Sequence, residues 1–343
     1  MGTPEINNKN REIIFSVIVT THNRNKPLDR CLENLLQLDF DIKKYEIIIV
    51  FDGCDSTETI LQNQSLATTS SIKRLPVPHK KGPAHGRNLG AAQANGNILV
   101  FIDDDCIPCH DWLSNLRDEI DHNPDTPGIF GLIKSDHPIV FPFIHSIQND
   151  KSGPKASCNL ALRKDAFVKT GGFDEQFKNA GYEDTDLILR IEKKIGSISF
   201  SSLAVVTHIS RYVSFRSQVK RLALAESKML FRKKHPDSNT GKGQLLVLRN
   251  CILKIYHFWF FLLLPFNPSL YIRFLTALAI IMGFRMYNLH KLSKVVSLEK
   301  YRIPVADRLL FVSIGWLNDF IELFYIVKGF IRFYLKPNFC KDE

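Results

Sequence analysis

Three consecutive aspartates, Asp103, Asp104 and Asp105, are the densest chemistry in this 343-residue sequence. Carboxylates on alternate residues at a strand end can share a hard divalent cation with the oxygens of a phosphorylated ligand. Such a cation stabilises negative charge building on a departing group. Asp103 and Asp105 have that spacing. An acidic triplet alone is ordinarily a solvated turn, so the element before it decides its weight. Glu183, Asp184 and Asp186 place three acids in four positions. Capping and the helix dipole account for acids at a helix start, but not for that many, which makes Glu183 and Asp184 candidate general bases. Asp52, before Gly53, either accepts a hydrogen bond from a ring N–H of a bound base or forms a turn. His208 is a candidate metal ligand or phosphate contact, against the ordinary reading of a lone histidine as structural. Cys106 and Cys109 form a CxxC with Pro108 inside it. A zinc site needs four ligands, and no second pair exists, so the motif reads as a strand-to-loop exit.

The elements that must present these residues follow from hydrophobic pattern. Residues 15–20 (FSVIVT) and 45–51 (YEIIIVF) are β-branched apolar runs, as in strands buried on both faces of a parallel sheet. Between them, Leu28, Cys31, Leu32, Leu35 and Leu36 recur at helical spacing, which predicts a right-handed βαβ unit. An Ala-rich helix over 85–95 ends at Gly96, and 97–102 (NILVFI) is the next buried strand. That strand delivers the aspartates at its C-terminal end, the edge where open α/β sheets bind ligands. Helices are expected over 112–120, 163–170 and 184–194, and strands near 129–133, 158–162 and 198–206, with His208 beyond the last of them.

Composition divides the chain. Residues 1–210 carry 23 Lys and Arg against 27 Asp and Glu, whereas 211–343 carry 22 against 8. With 45% hydrophobic and 23% charged residues the chain is globular, not disordered or collagen-like. Seven cysteines without regular spacing make no disulfide framework and suit a reducing compartment. The start of the chain is polar to Glu12 with no apolar signal core, so the first part is expected in the cytoplasm. A basic helix is expected over 214–235, followed by hydrophobic blocks at 245–264, 270–289 and 309–335. A spanning helix needs roughly 20 predominantly apolar residues. Arg249 and Lys254, Arg273 and Arg285, and Asn318, Asp319 and Glu322 interrupt or bracket the three blocks. They are therefore expected to lie in the interface of an anionic membrane rather than to cross it or to bind nucleic acid. The division predicted is a polar tail (1–14), an α/β domain (15–213) and a basic helical region (214–343).

Five ordered blocks, SVIVTTHNR (16–24), EIIIVFDGCDST (46–57), GRNLGAAQANGNILVFIDDDC (86–106), ASCNLALRKDAFVKTGGFDE (156–175) and GYEDTDLILR (181–190), resemble the inverting family 2 glycosyltransferases of the GT-A fold. The match covers a little under two thirds of the chain. The resemblance implies a mostly parallel, Rossmann-like sheet flanked by helices, a nucleotide-sugar donor (commonly a UDP-sugar) and a divalent cation, Mg2+ or Mn2+. It implies that Thr20, His22 and Arg24 line the nucleotide pocket and that Asp52 reads the base. Arg87 and Asn88 match a donor-contacting pair, and Asp103 the first acid of a DXD motif near the ribose. Asp105 matches the metal ligand, with Asp104 at the variable, most change-tolerant position. Glu183 and Asp184 match the ED motif, Asp184 being the base, and His208 a histidine beside the metal. Trp112, Gly172 and Phe173 match acceptor-side framework. Family members usually carry two acids where this chain has Phe51-Asp52. The acceptor implied is lipid-linked or saccharide, met at the cytoplasmic face of a membrane. Two other readings compete: a catalytically silent scaffold of the same fold, which has no physical need of both acid motifs, and a nucleotidyltransferase. The latter relies on a glycine-rich phosphate loop that THNRNKP (21–27) lacks.

Overall fold

The computed structural model describes residues 13–53, 72–137, 144–151, 155–238 and 317–335. These form two compact units, Met1–His137 with Ser146–Ser210, and Pro138–His145 with Arg211–Glu343.

The first unit opens with β1 (Phe15–Thr21), α1 (Asn25–Leu35) and β2 (Tyr45–Asp52). Then come β3 (Ile72–Val77), α2 (Pro83–Ala92), β4 (Ile98–Asp103), β5 (Cys106–Pro108) and α3 (Trp112–His122). After β6 (Gly128–Ser135), a 3-10 turn at Ser157–Asn159 leads into β8 (Leu160–Arg163), β7 being the Ile144–His145 strand of the second unit. The unit closes with α4 (Lys164–Thr170), α5 (Glu183–Lys194) and β9 (Ser199–His208). Among the described residues the sheet has eight strands in the order β3-β2-β1-β4-β8-β6-β9-β5. The four strands β3-β2-β1-β4 are mutually parallel, and β8 turns the sheet antiparallel. β6 pairs antiparallel with β8 and parallel with β9, and β5 caps the edge antiparallel to β9. This is the expected α/β sheet, with a mixed second half.

Alternation along the strands divides the core. Val17 and Val19 join Leu28, Leu32, Leu35, Trp112 and Leu116 on one face, while Ile18 joins Ala84, Ala91, Leu187 and Ile188 on the other. The helix α2 comes unusually close to the sheet, because a Cβ on Gly90 would lie 2.5 Å from Ile18 Cγ2. Three short elements went unread in the sequence: β3, whose pattern is only half buried, β5, and the 3-10 turn. Cys106 to Pro108 of the CxxC accordingly form a short strand held by β9, with Cys109 just past its end, and His208 is the last residue of β9 rather than a residue beyond it.

In the second unit β7 pairs with β10 (Arg211–Tyr212). The single basic helix expected over 214–235 is two helices, α6 (Phe215–Arg221) and α7 (Leu224–Lys234), separated by a turn at Leu222-Ala223. Ser214 caps α6 by accepting the Ser217 N–H. A later helix, α8 (Leu317–Phe330), continues as a π-turn at Ile331–Leu335 and packs on α7, where Glu226 takes Lys328 and Arg332, both at 3.1 Å. Among the described residues no helix is long and apolar enough to cross a membrane. The blocks at 245–264 and 270–289 lie outside the described residues.

Candidate active site

The parallel half of the sheet ends in the aspartates. Thr20 of β1 stands in register with Asp103 of β4, so these two strand ends lie side by side at the C-terminal edge of the sheet. Asp105 follows β4, and the β5–β9 ladder ties it to His208. Cys106 is paired with His208, and the Ile209 N–H donates to the Asp105 carbonyl at 2.8 Å. As a result His208 Nε2 lies 3.5 Å from Asp105 Oδ1, and with Cys106 Sγ these ligand atoms fall within 4.8 Å of one another. A carboxylate and an imidazole converging on one point fit a divalent cation. Burial pushes the Cys106 thiol well above its ordinary range, and its soft sulfur suits a hard cation less than oxygen or imidazole nitrogen does.

Asp104 departs from expectation. The change-tolerant position of the motif is 3% exposed and turned into the protein, where its carboxylate accepts the Thr21 hydroxyl at 2.7 Å and Arg24 Nη1 at 2.7 Å. Burial raises its pKa to about 6, against the lowering pull of Arg24. The same Arg24 nitrogen reaches Asp105 Oδ2 at 2.8 Å. Arg24 therefore bridges the second and third aspartates, and Asp104 holds the β1 exit rather than facing a ligand.

Arg87, on α2, is the centre of the site. Its Nη1 donates to Glu183 Oε1 and its Nη2 to Asp103 Oδ1, both at 2.9 Å, and its guanidinium lies 5.4 Å from the Phe173 ring centroid. Burial works against the cation, but Asp103 and Glu183 outweigh it and hold Arg87 above its ordinary value. One side chain thus locks the acidic strand end to the start of α5. The neighbouring Asn88 points away from that junction: its amide donates to the Phe173 carbonyl and to Glu175, and its oxygen accepts the Phe173 N–H at 2.9 Å. Gly172 is required beneath it, with φ +68° and a hypothetical Cβ 2.7 Å from Asn88 Oδ1.

The two acids of α5 divide their work. Glu183 is 3% exposed, with Oε1 on Arg87 and Oε2 on the Gly181 N–H; burial and the adjacent Asp184 raise its pKa. Asp184 is half-buried, its oxygens steadied by the Thr185 N–H at 2.7 Å and the Ser157 N–H at 3.3 Å. The chain enters α5 through Tyr182 at φ +74°, a left-handed conformation for a non-glycine residue.

The remaining positions support this geometry. Asp52 is 5% exposed, and its oxygens accept the Lys81 and Gly82 N–H groups at 2.7 and 2.9 Å, capping the approach to α2; its carbonyl lies 2.5 Å from His22 Nδ1. Trp112 is fully buried and donates to Asn159 at 3.0 Å, and Phe173 is 2% exposed among Phe101 and Phe167. Both position the elements behind the site instead of offering a surface. Thr21 and Ser157 were missed in the sequence. Small hydroxyl residues carry no periodic signal, and only tertiary contacts assign them.

A mixed sheet whose parallel half ends in an acidic run, with a helix-borne carboxylate clamped beside it, is the GT-A class of fold. The model for "Glycosyl transferase family 2" matches residues 16–164 and that for "Glycosyltransferase like family 2" matches 151–242. The chain belongs to the family 2 glycosyltransferases. It is 26% identical over 230 residues to the pre-mycofactocin glycosyltransferase of Mycobacterium tuberculosis, covering 62% of this chain. This chain spans 47% of that relative, about half its length. It is 23% identical over 216 residues to the glucosyl-dolichyl phosphate glucuronosyltransferase of Haloferax volcanii, covering 56% of this chain and 68% of the relative. Among solved structures, the mannosyltransferase PcManGT from Pyrobaculum calidifontis, in complex with GDP-Man and Mn2+, matches the fold with a TM-score of 0.52 at 16% identity, over 94% of this chain and 87% of that one.

Proposed function

We propose that this protein transfers a sugar, with inversion, from a nucleotide diphosphate donor such as a UDP-sugar to an acceptor hydroxyl. One observation carries the reading: Arg87 consumes Glu183 and joins it to Asp103, leaving Asp184 as the accessible carboxylate beside the acidic strand end. Asp184 takes the proton of the acceptor hydroxyl, whose oxygen attacks the anomeric carbon from the face opposite the leaving diphosphate. The Ser157 and Thr185 N–H groups hold that carboxylate in one orientation. Asp105 and His208 would hold Mg2+ or Mn2+, with Asp103 on the donor side, and when bound the cation neutralises charge on the departing diphosphate. Thr20, His22 and Arg24 line the nucleotide side, while Asp52 acts by fixing the loop over which the base lies.

We further propose a catalytic domain at 15–213 and a membrane-associating region at 214–343. The excess of 22 basic over 8 acidic residues beyond 210 supports attachment to an anionic surface at the cytoplasmic face. A lipid-linked or saccharide acceptor, as in glycolipid or cell-surface polysaccharide synthesis, fits that placement. The name of the Haloferax relative, with its dolichyl phosphate, supports a lipid-linked one.

The test is a screen of nucleotide sugars, UDP- and GDP-linked, for cation-dependent release of the nucleoside diphosphate with a membrane extract as acceptor source. Asp184→Asn should lower turnover by about 10²–10⁴-fold, the usual worth of a positioned acid–base group, and Asp105→Ala should lower it by loosening the hold on the cation. Unimpaired transfer in both variants would sink the assignment.

A further inference from the structure

His208 is 3% exposed, and the hydroxyl of Ser146, itself 6% exposed, meets it twice: Ser146 Oγ lies 3.1 Å from the His208 carbonyl oxygen and 3.3 Å from His208 Nδ1. A serine hydroxyl has one proton to give and lone pairs to receive. A carbonyl oxygen can only accept, so the proton goes there. Toward Nδ1 the same oxygen must then be the acceptor, which requires that Nδ1 carry the ring hydrogen. In a neutral imidazole the lone pair is then left on Nε2, the nitrogen 3.5 Å from Asp105 Oδ1.

We infer that Ser146 is a positioning residue for the cation site, fixing His208 in the Nδ1–H form so that its Nε2 lone pair faces Asp105. The inference rests on the cation reading proposed above for Asp105 and His208. Two acceptor atoms that converge in a buried place favour a positive charge between them; Arg24 meets the other oxygen of Asp105, Oδ2, so the hydroxyl prepares the Nε2–Oδ1 side for a divalent ion. Left to itself, a neutral histidine beside a carboxylate puts its hydrogen on the nitrogen facing that carboxylate. Ser146 prevents this. The backbone secures the geometry from the other side. The Asp136 N–H also donates to the His208 carbonyl at 3.4 Å, and Asp136 Oδ1 accepts the Ser210 N–H at 2.7 Å, so the carbonyl that takes the serine proton has a fixed place.

The experiment uses the full chain and Mn2+ alone, with free Mn2+ read by electron paramagnetic resonance. Ser146→Ala should raise the Mn2+ dissociation constant by about 10–100-fold, the usual consequence of losing the partner of a ligating histidine. Ser146→Thr, which keeps the hydroxyl, should restore most of it, and the melting temperature of both should stay near that of the parent. Nitrogen-15 spectra of the metal-free protein should show His208 as the Nδ1–H form in the parent and a shift toward the Nε2–H form in Ser146→Ala. An unchanged dissociation constant in Ser146→Ala, or an Nε2–H His208 in the metal-free parent, would overturn the role of Ser146. Asp105→Ala and His208→Ala separate the two levels. If they bind Mn2+ as the parent does, the cation site itself fails. If they weaken binding while Ser146→Ala does not, only the present inference falls.

Discussion

Removing the cation at the centre of the site, Arg87→Met, should expose how the two acids it joins differ. Asp103 keeps 26% of its side chain exposed, so water solvates its carboxylate when Arg87 is gone. Glu183 keeps 3%, and its Oε1 loses the only cation within ion-pairing distance among the described residues. Removing one partner of a buried pair costs about 3–5 kcal/mol, because the other charge stays buried without compensation. For a domain of this size each kcal/mol lowers Tm by about 2–4 °C, so the variant should melt roughly 6–20 °C below the parent. The reverse variant, Glu183→Gln, leaves Arg87 with Asp103 and should cost less. Combining the two should recover stability over Arg87→Met alone, since the uncompensated charge is then gone. Thermal and urea unfolding of the four proteins close the double-mutant cycle. If Arg87→Met costs under about 1 kcal/mol, or if the double variant is no more stable than Arg87→Met, Glu183 is not the charge that Arg87 holds.

Asp104→Ala should destabilise the protein by about 2 kcal/mol, since it strips partners from Thr21 and Arg24. The more exposed Asp103→Ala should affect unfolding less than turnover, and comparison of urea midpoints decides between them. Glu46 accepts the Ser16 hydroxyl, the Asn95 N–H and Lys73. Burial works against its charged form, but these partners outweigh burial and hold its pKa below the ordinary value. Its contribution is thus complete above the unfolded glutamate pKa of about 4.3 and is lost as pH falls through that value toward the folded one. Glu46→Gln should therefore lower Tm at neutral pH, with the difference shrinking in acid; a gap that stays constant to low pH would show that the charge is not what matters. Gly90→Ala forces a methyl group 2.5 Å from Ile18 Cγ2 and should cost about 1–3 kcal/mol in unfolding by urea.

Much of this molecule was legible along the chain. Residues 15–20, 45–51 and 97–102 read as buried strands, and they form β1, β2 and β4, because a strand covered on both faces must be apolar at every position. The same logic set the aspartates at a sheet edge, and the family resemblance pointed to Arg87, Asp103, Asp105 and Asp184 within its blocks and to His208 beyond them. Elements with short or mixed patterns were hidden: β3 is half-exposed, β5 has three residues, and the break at Leu222-Ala223 carries neither Pro nor Gly.

What the sequence by itself determined was which residue types stand at which strand and helix ends, since local periodicity decides where an element starts and stops. Tertiary structure alone decided what each acid meets. Asp104 and Asp105 are neighbours of identical chemistry, yet one is turned onto Thr21 and the other toward His208. Glu183 and Asp184 are likewise adjacent, yet Arg87, 96 residues from Glu183 in the chain, takes one and leaves the other accessible. A carboxylate's role depends on its burial and on the cation it meets, and both are set by contacts between distant segments, which no local pattern encodes.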